Sequence, residues 1–190
     1  MSTQIRISIL FTIITTLIFG IAYPYAVTGA AQVLFPKQAN GQLIQRNGTV
    51  IGSSIIGQSF TGDTYFHSRP SAAGTGYDAA NSGGSNLGPT SKKLIDRISA
   101  SAADETKGAT GEIPVDLVTT SASGLDPHIT PASAEYQVNR IAQARHLDPE
   151  ALRRLVAKHT EGRQFGLLGE PRVNVLELNL NLDQWANTQH

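Results

Sequence analysis

The sequence contains no cysteine among its 190 residues. A disulfide framework, a thiolate metal site and a cysteine nucleophile are therefore excluded. Charge is also scarce, at 16% of residues against about 25% in ordinary soluble proteins. Neither sign predominates, since 15 basic side chains balance 15 acidic ones. That balance excludes a broad basic surface for nucleic acid and a highly charged disordered chain.

The scarce charge is unevenly placed. Residues 7–36 carry none. Within them, residues 7–27 (ISILFTIITTLIFGIAYPYAV) are long enough to cross a hydrocarbon core of about 30 Å as a helix rising about 1.5 Å per residue. Thr12, Thr15 and Thr16 are tolerable there because each hydroxyl can bond a carbonyl one turn back. Tyr23 and Tyr25 fall where an aromatic belt meets the interface, and Pro24 is expected to bend or end the helix. The alternative is a cleavable signal peptide, with Arg6 as its charged region and Gly29-Ala30-Ala31 as its cleavage site. The apolar run exceeds a typical signal core, which favours a retained single-pass anchor. Arg6 and the α-amino group precede the span and Lys37 and Arg46 follow it, so the positive-inside count is nearly tied. The very short head favours an inside N-terminus and a translocated body.

The organisation expected is a short tail (1–6), a transmembrane helix (7–27), a membrane-proximal connector (28–48) and one mixed α/β (α+β) soluble domain (49–190). Residues 49–60 (TVIGSSIIGQSF) read as a strand or hairpin. Residues 61–90 form a Gly/Ser-rich loop whose Tyr65, Phe66 and Tyr77 argue against disorder. A helix opens at Thr90 or Ser91, with Leu94, Ile95, Ile98 and Ala102 on one face. A polar connector over 103–111 leads to a strand over 113–120. Thr130-Pro131 and Asp148-Pro149 pair a capping oxygen with proline at the first helical position. They start helices with Ala134, Val138, Ile141 and Ala142, and then Leu152, Leu155 and Val156, inward, the second stopping at Gly162. Leu176, Leu178, Leu180 and Leu182 alternate with Glu177, Asn179 and Asn181, the pattern of a half-buried strand. Residues 135–190 hold seven basic and seven acidic side chains, read as a solvated face.

The densest chemistry lies in residues 65–91, YFHSRPSAAGTGYDAANSGGSNLGPTS. A phosphate loop is excluded because Pro89 stands six positions after Gly83, where lysine is required. Gly74 and Gly76 lack the third glycine of a dinucleotide fingerprint. Gly83-Gly84-Ser85-Asn86-Leu87 lacks the closing glycine of a nucleophile elbow. His67 and Arg69 could serve a membrane-anchored or secreted hydrolase as base and oxyanion clamp. Arg69 could equally bond loop carbonyls. His67, Asp78, Asp126 and His128 lack tight ligand spacing, so no metal site is assigned. No residue is assigned as catalytic. His159 is expected to serve a helix dipole. In residues 115–131, Asp126-Pro127 starts a turn. Thr119, Thr120, Ser121 and Ser123 supply neutral oxygens of the kind potassium prefers.

Four stretches in this order, YFHSRPSAAGTGYDAANSGGSNLGPTS, DLVTTSASGLDPHITP, ARHLDPEALRRLVAKHTEGR and FGLLGEPRVNVLELNLNL, together with FPKQANGQLI after the span, resemble the KdpC family. Its members are the C subunits of bacterial potassium-transporting KdpFABC ATPases. The resemblance covers nearly the whole chain and implies a retained span in the cell (inner) membrane. It implies an accessory, non-pore role in a high-affinity potassium importer. The partners implied are a channel-like potassium-binding subunit, a P-type ATPase subunit, a small membrane subunit and membrane lipid. Potassium would be the transported ion, no cofactor would be stably bound, and ATP would be met only through the complex. The family's proposed role as a catalytic chaperone raising ATP affinity draws on an ABC-type signature. Ser82-Gly83-Gly84-Ser85-Asn86 is the nearest match, without its closing glutamine, and Gln137 is the candidate glutamine contact. An independent ATP-binding module is the corresponding alternative. The family is also described with its soluble domain outside the cytoplasm, above the channel subunit. On that reading His67, Arg69, Tyr77, Asp78, Ser121 and Asp126 build partner-facing or structural loops. A neutral, oxygen-rich cap suits a cation entrance, which a strongly basic one would repel.

Overall fold

The computed structural model describes residues 2–106 and 111–187, in two compact units divided after Ile51. The expected connector over 103–111 lies partly outside the described residues, as do the two chain ends. In the first unit, α1 (Ser2–Thr15), a π-helical stretch (Thr16–Ala22) and α2 (Tyr23–Leu34) follow one another. They form one helix of 33 residues, long and apolar enough to cross a membrane, with nothing on it buried. It does not end at Pro24. The Tyr23 N–H bonds the Ile18 carbonyl five residues back, and this wider turn makes room for the proline ring. Thr15 Oγ1 donates to the Phe11 carbonyl at 2.8 Å, the back-bond that makes threonine tolerable in an apolar helix.

A short helix α3 (Pro36–Ala39) precedes a hairpin of β1 (Leu43–Arg46) and β2 (Thr49–Ser53). Asn47 and Gly48 turn it at φ +52° and +78°, the left-handed pair that a two-residue hairpin needs. The hairpin thus begins upstream of residue 49, and residues 54–60 do not continue it.

The second unit begins its helices with α4 (Lys92–Glu105), where Ser91 stands at the N-cap without a side-chain bond. No α4 residue is buried, so its apolar stripe lies on the periphery. The strand expected over 113–120 is instead a 3-10 turn, Val115–Leu117. The turn carries buried Asp116 to the start of the next helix, where its carboxylate accepts from the Thr130 amide at 2.7 Å and from the Ser133 hydroxyl. An extended segment would forgo the local bonds from the Leu117 and Val118 amides to Pro114 and Val115.

β3 (His128–Ile129) leads into α5 (Pro131–Arg145) and α6 (Pro149–Lys158). Both caps form as expected. The Thr130 side chain accepts from the Ser133 amide, and that of Asp148 accepts from the Glu150 and Ala151 amides. α6 stops before Gly162. His159 Nδ1 and Thr160 Oγ1 bond the Leu155 and Val156 carbonyls at 2.9 Å each, which closes the last turn. β4 (Thr160–Glu161) and β5 (Arg172–Asn174) complete an antiparallel sheet in the order β3-β5-β4.

The alternating leucines do not form a strand. Val175–Asn187 is helix α7. Val175, Leu178 and Leu182 are buried at helical spacing, and Asn179, assigned to solvent by the alternation, is 1% exposed. Asn174 Oδ1 accepts from the Glu177 amide at 3.1 Å, the start of an Asn-x-x-Glu capping pattern. Val175, Leu178 and Leu182 join Phe66, Ile129, Val138, Ile141, Leu152, Val156 and Val173 in one core. Each large side chain buried there contributes about 1.5–3 kcal/mol.

Candidate functional site

The Gly/Ser-rich loop holds its path through side chains that reach it from α5 and α7. Phe66 is fully buried. Its N–H donates to Asn179 Oδ1 and its carbonyl accepts from Asn179 Nδ2, both at 2.9 Å. The next residue repeats the arrangement: the His67 N–H donates to Gln137 Oε1 at 2.7 Å and its carbonyl accepts from Gln137 Nε2 at 3.2 Å. Two buried amides thus replace the sheet partner that this extended backbone lacks. Gln137, spaced four residues from Ser133, also donates to the Ser133 carbonyl. It is 1% exposed.

Two arginines on α5 extend the clamp. Arg140 donates to the Gly62, Asp63 and Tyr65 carbonyls and to Gln137 Oε1. Burial lowers its pKa, with Glu105 and Asp63 opposing that shift. Arg145 donates to the Thr64 carbonyl and to Asp183, and stacks 4.7 Å from the centre of the Tyr65 ring. His67 Nε2 lies 2.8 Å from the Gly62 carbonyl. The hydrolase reading therefore finds the His67 ring held against the loop's own backbone.

The loop's second half is stitched to residues 119–126. Arg69 donates to the Thr119 and Thr120 carbonyls and pairs with Asp126 at 3.3 Å. Tyr77 Oη donates to the Arg69 carbonyl, and Ser71 Oγ donates to the Gly124 carbonyl at 2.6 Å. Ser82 Oγ and the Gly83 amide both donate to the Ser123 carbonyl. Gly124 has φ +65°, and a Cβ there would lie 2.6 Å from the Ala73 nitrogen and 2.7 Å from the Gly83 oxygen. Ser121 is buried within this seam. Asp78 folds its own turn, accepting from the Ala80 amide and Asn81 Nδ2. The Asn81 bond and then the Ala80 amide lower its pKa.

Asp126 is the seam's electrostatic centre. Burial raises its pKa, but the bonds from His128 and the Arg69 charge outweigh that and hold it below the usual carboxylate value. Burial raises the pKa of the Tyr77 phenol.

Of the residues singled out from sequence, the structure joins His67 to Gln137 and joins Arg69, Tyr77 and Asp126 to one another. Gln137 and the 82–86 run have different partners: His67 and Arg140 for the first, residues 122–123 for the second. Sequence reasoning missed Asn179, Arg140, Arg145 and Asp116. The spacing Ser133-Gln137-Arg140, polar positions one turn apart beside the apolar positions Ala134, Val138 and Ile141, was a usable signal. A cleft of about 600 Å³ beside the clamp is lined by Asp63, His67, Asp104, Glu105, Arg140, Gln143 and Ala144. Three carboxylates against one guanidinium make a lining that disfavours a polyphosphate. Among the described residues, no group of three or more His, Asp or Glu side chains could hold a metal. What the geometry provides is a hydrogen-bonded, oxygen-rich platform without an excess of positive charge.

The sequence model of the family described as "KdpC: K+-transporting ATPase, c chain" matches residues 5–184. A potassium-transporting ATPase KdpC subunit from Koribacter versatilis is 61% identical over 96% of this chain and 95% of its own. Its counterpart from Acidobacterium capsulatum is 63% identical over 95% and 98%. That from Rhodospirillum rubrum is 59% identical over 89% of each chain. With a match of this extent running from the N-terminal apolar helix through α7, the chain belongs to the KdpC family, the c chain of the K+-transporting ATPase.

Proposed function

We propose that this chain is the accessory, non-pore subunit of an ATP-driven potassium importer. Its α1–α2 helix anchors it, and its second unit lies outside the cytoplasm as a cap on the channel-like subunit. The observation that carries the reading is family membership over residues 5–184. The clamped loop supports the cap role. Backbone amides of the loop already bond protein groups, and its Asp63 and Asp78 against Arg69 do not repel an incoming cation. Contact with the P-type and small membrane subunits would run through the anchor helix. The chaperone effect on ATP affinity is then an indirect coupling through those subunits, which linkage allows at a distance.

Impermeant amine labelling of cells stripped of their outer barrier tests the placement. Lys93 and Lys158, both exposed, should react in intact cells; reaction only after lysis overturns the external cap. Deleting the chain should abolish ATP-driven potassium uptake, and normal uptake without it would remove the accessory role. Labelled ATP at millimolar concentration should not bind the isolated full chain. Saturable binding there would replace indirect coupling with direct contact.

A further inference from the structure

The connection between β4 and β5 is a hairpin finger that points its apolar residues away from the fold. Gln164 and Leu168 exchange backbone bonds at 2.8 and 2.9 Å. Phe165, Gly166 and Gly169 turn the tip at φ +54°, +75° and +77°. A phenylalanine in the left-handed region is a strained choice. Phe165 is nonetheless 92% exposed, Leu167 80% and Leu168 61%, so the core gains little from them. The finger is rooted in the central strand β5. Its neck is closed by two ion pairs, Arg163–Glu170 at 2.7 Å and Arg172–Glu161 at 2.8 Å.

We infer that this finger docks into an apolar pocket on another protein subunit of the ATPase. The inference rests on the reading of this chain as one subunit of that complex. The neck decides the kind of partner. Its charges pair internally and sum to zero, which surrounds an apolar tip with a charge-balanced polar rim, the anatomy of a protein interface. A loop held at a lipid surface would instead carry unpaired Lys or Arg beside its apolar side chains; the tip Gln164–Gly169 has no basic residue, and Arg163 and Arg172 at its neck are paired. Among the described residues, the second unit of another copy presents charged clefts rather than an apolar receptor. The larger clefts of the second unit are lined with charged side chains, among them Asp104, Glu105, Lys158 and Glu177.

The test uses the complete complex. The double variant Phe165→Asn, Leu167→Ser keeps a residue that tolerates positive φ at the tip and removes two apolar side chains. Its affinity for the remaining subunits, measured by co-purification on a tag carried by the P-type chain over a dilution series, should fall at least tenfold with unfolding temperature unchanged. Equal retention of variant and wild type overturns the inference while leaving the subunit reading intact. Failure of the wild type to co-purify overturns both. A second measurement uses the absence of native cysteine. Leu168→Cys, labelled with a benzophenone maleimide and assembled into the complex in lipid, should give a photo-adduct with a different subunit. An adduct with lipid or with a second copy of this chain overturns the inference.

Discussion

Two long connections in the second unit use their residues in opposite ways. The loop over 61–91 is polar and glycine-rich, yet it is bonded inward by Asn179, Gln137, Arg140 and Arg145. The finger over 162–171 is apolar at its tip, yet it holds Phe165 and Leu167 outward. Polarity alone therefore does not locate a segment; the availability of partners does. The loop's backbone groups find buried amides waiting on α5 and α7, so it is part of the folding unit. The finger bonds mainly to itself and leaves its apolar surface for another molecule.

The contrast breaks if the loop is dispensable for folding. Phe66→Ala removes a fully buried ring from the main core and should cost about 3–5 kcal/mol. Thermal unfolding of the full chain in detergent, followed by near-ultraviolet circular dichroism of Trp185 against the core, reads this. A change under about 1 kcal/mol would show that the loop merely rests on the core. Asn179→Ala keeps Phe66 but strands its buried amide and carbonyl. It should cost about 2–4 kcal/mol by the same measurement, since each orphaned buried group costs roughly 1–3 kcal/mol.

The same substitution made in the finger and in the segment stitched to the 61–91 loop sharpens the comparison. Gly124→Ala combines a positive φ with a Cβ pressed to 2.6 and 2.7 Å from backbone atoms. It should cost about 2 kcal/mol or more, because backbone cannot yield as a flexible side chain does. Gly169→Ala in the finger has the same strained φ but nothing within 4 Å. It should cost only the left-handed penalty, about 1 kcal/mol. Equal losses at the two sites would mean that packing of the seam contributes nothing.

The sequence made some of this legible and hid the rest for physical reasons. Thr130-Pro131 and Asp148-Pro149 announced α5 and α6 because capping is local chemistry, decided within four residues. The charge-free run announced the long apolar helix Ser2–Leu34 because composition, too, is local. The clamp was hidden because Asn179 lies more than a hundred residues from the Phe66 backbone it binds. The alternation of leucines with asparagines also disguised a helix whose asparagine faces inward. The Asn174-Val-Leu-Glu177 cap was the local signal against that reading. His67 and Arg69 stood out as reactive types, but their reactivity says nothing of the carbonyls that tertiary structure sets around them.

Acid offers a milder way to loosen the seam. The folded Asp126 pKa lies below its ordinary 3.8, so the ionised form is favoured by folding. Its contribution is complete above that ordinary value and is lost as pH falls through the folded value. With side chains 26% and 30% exposed at the Arg69–Asp126 pair, the contribution is under about 1 kcal/mol. Asp126→Asn should flatten the part of the acid limb that lies below the ordinary 3.8 of the carboxyl. An acid limb unchanged by the substitution would assign that stability to other carboxylates.

The smallest effect is expected where exposed apolar surface is greatest. Leu167 is 80% exposed, so Leu167→Ser in the isolated full chain removes almost no buried area and leaves no cavity. Its cost should stay within about 0.5 kcal/mol, the range of ordinary surface substitutions. Arg163→Gln opens the neck pair, whose side chains are 45% and 74% exposed, and solvent screening keeps that loss to a few tenths of a kcal/mol. Both should leave the unfolding temperature nearly unchanged. A large loss from Leu167→Ser would mean that the finger folds back onto its own chain in solution. It would then be a second clamped loop, and the contrast between the two connections would disappear.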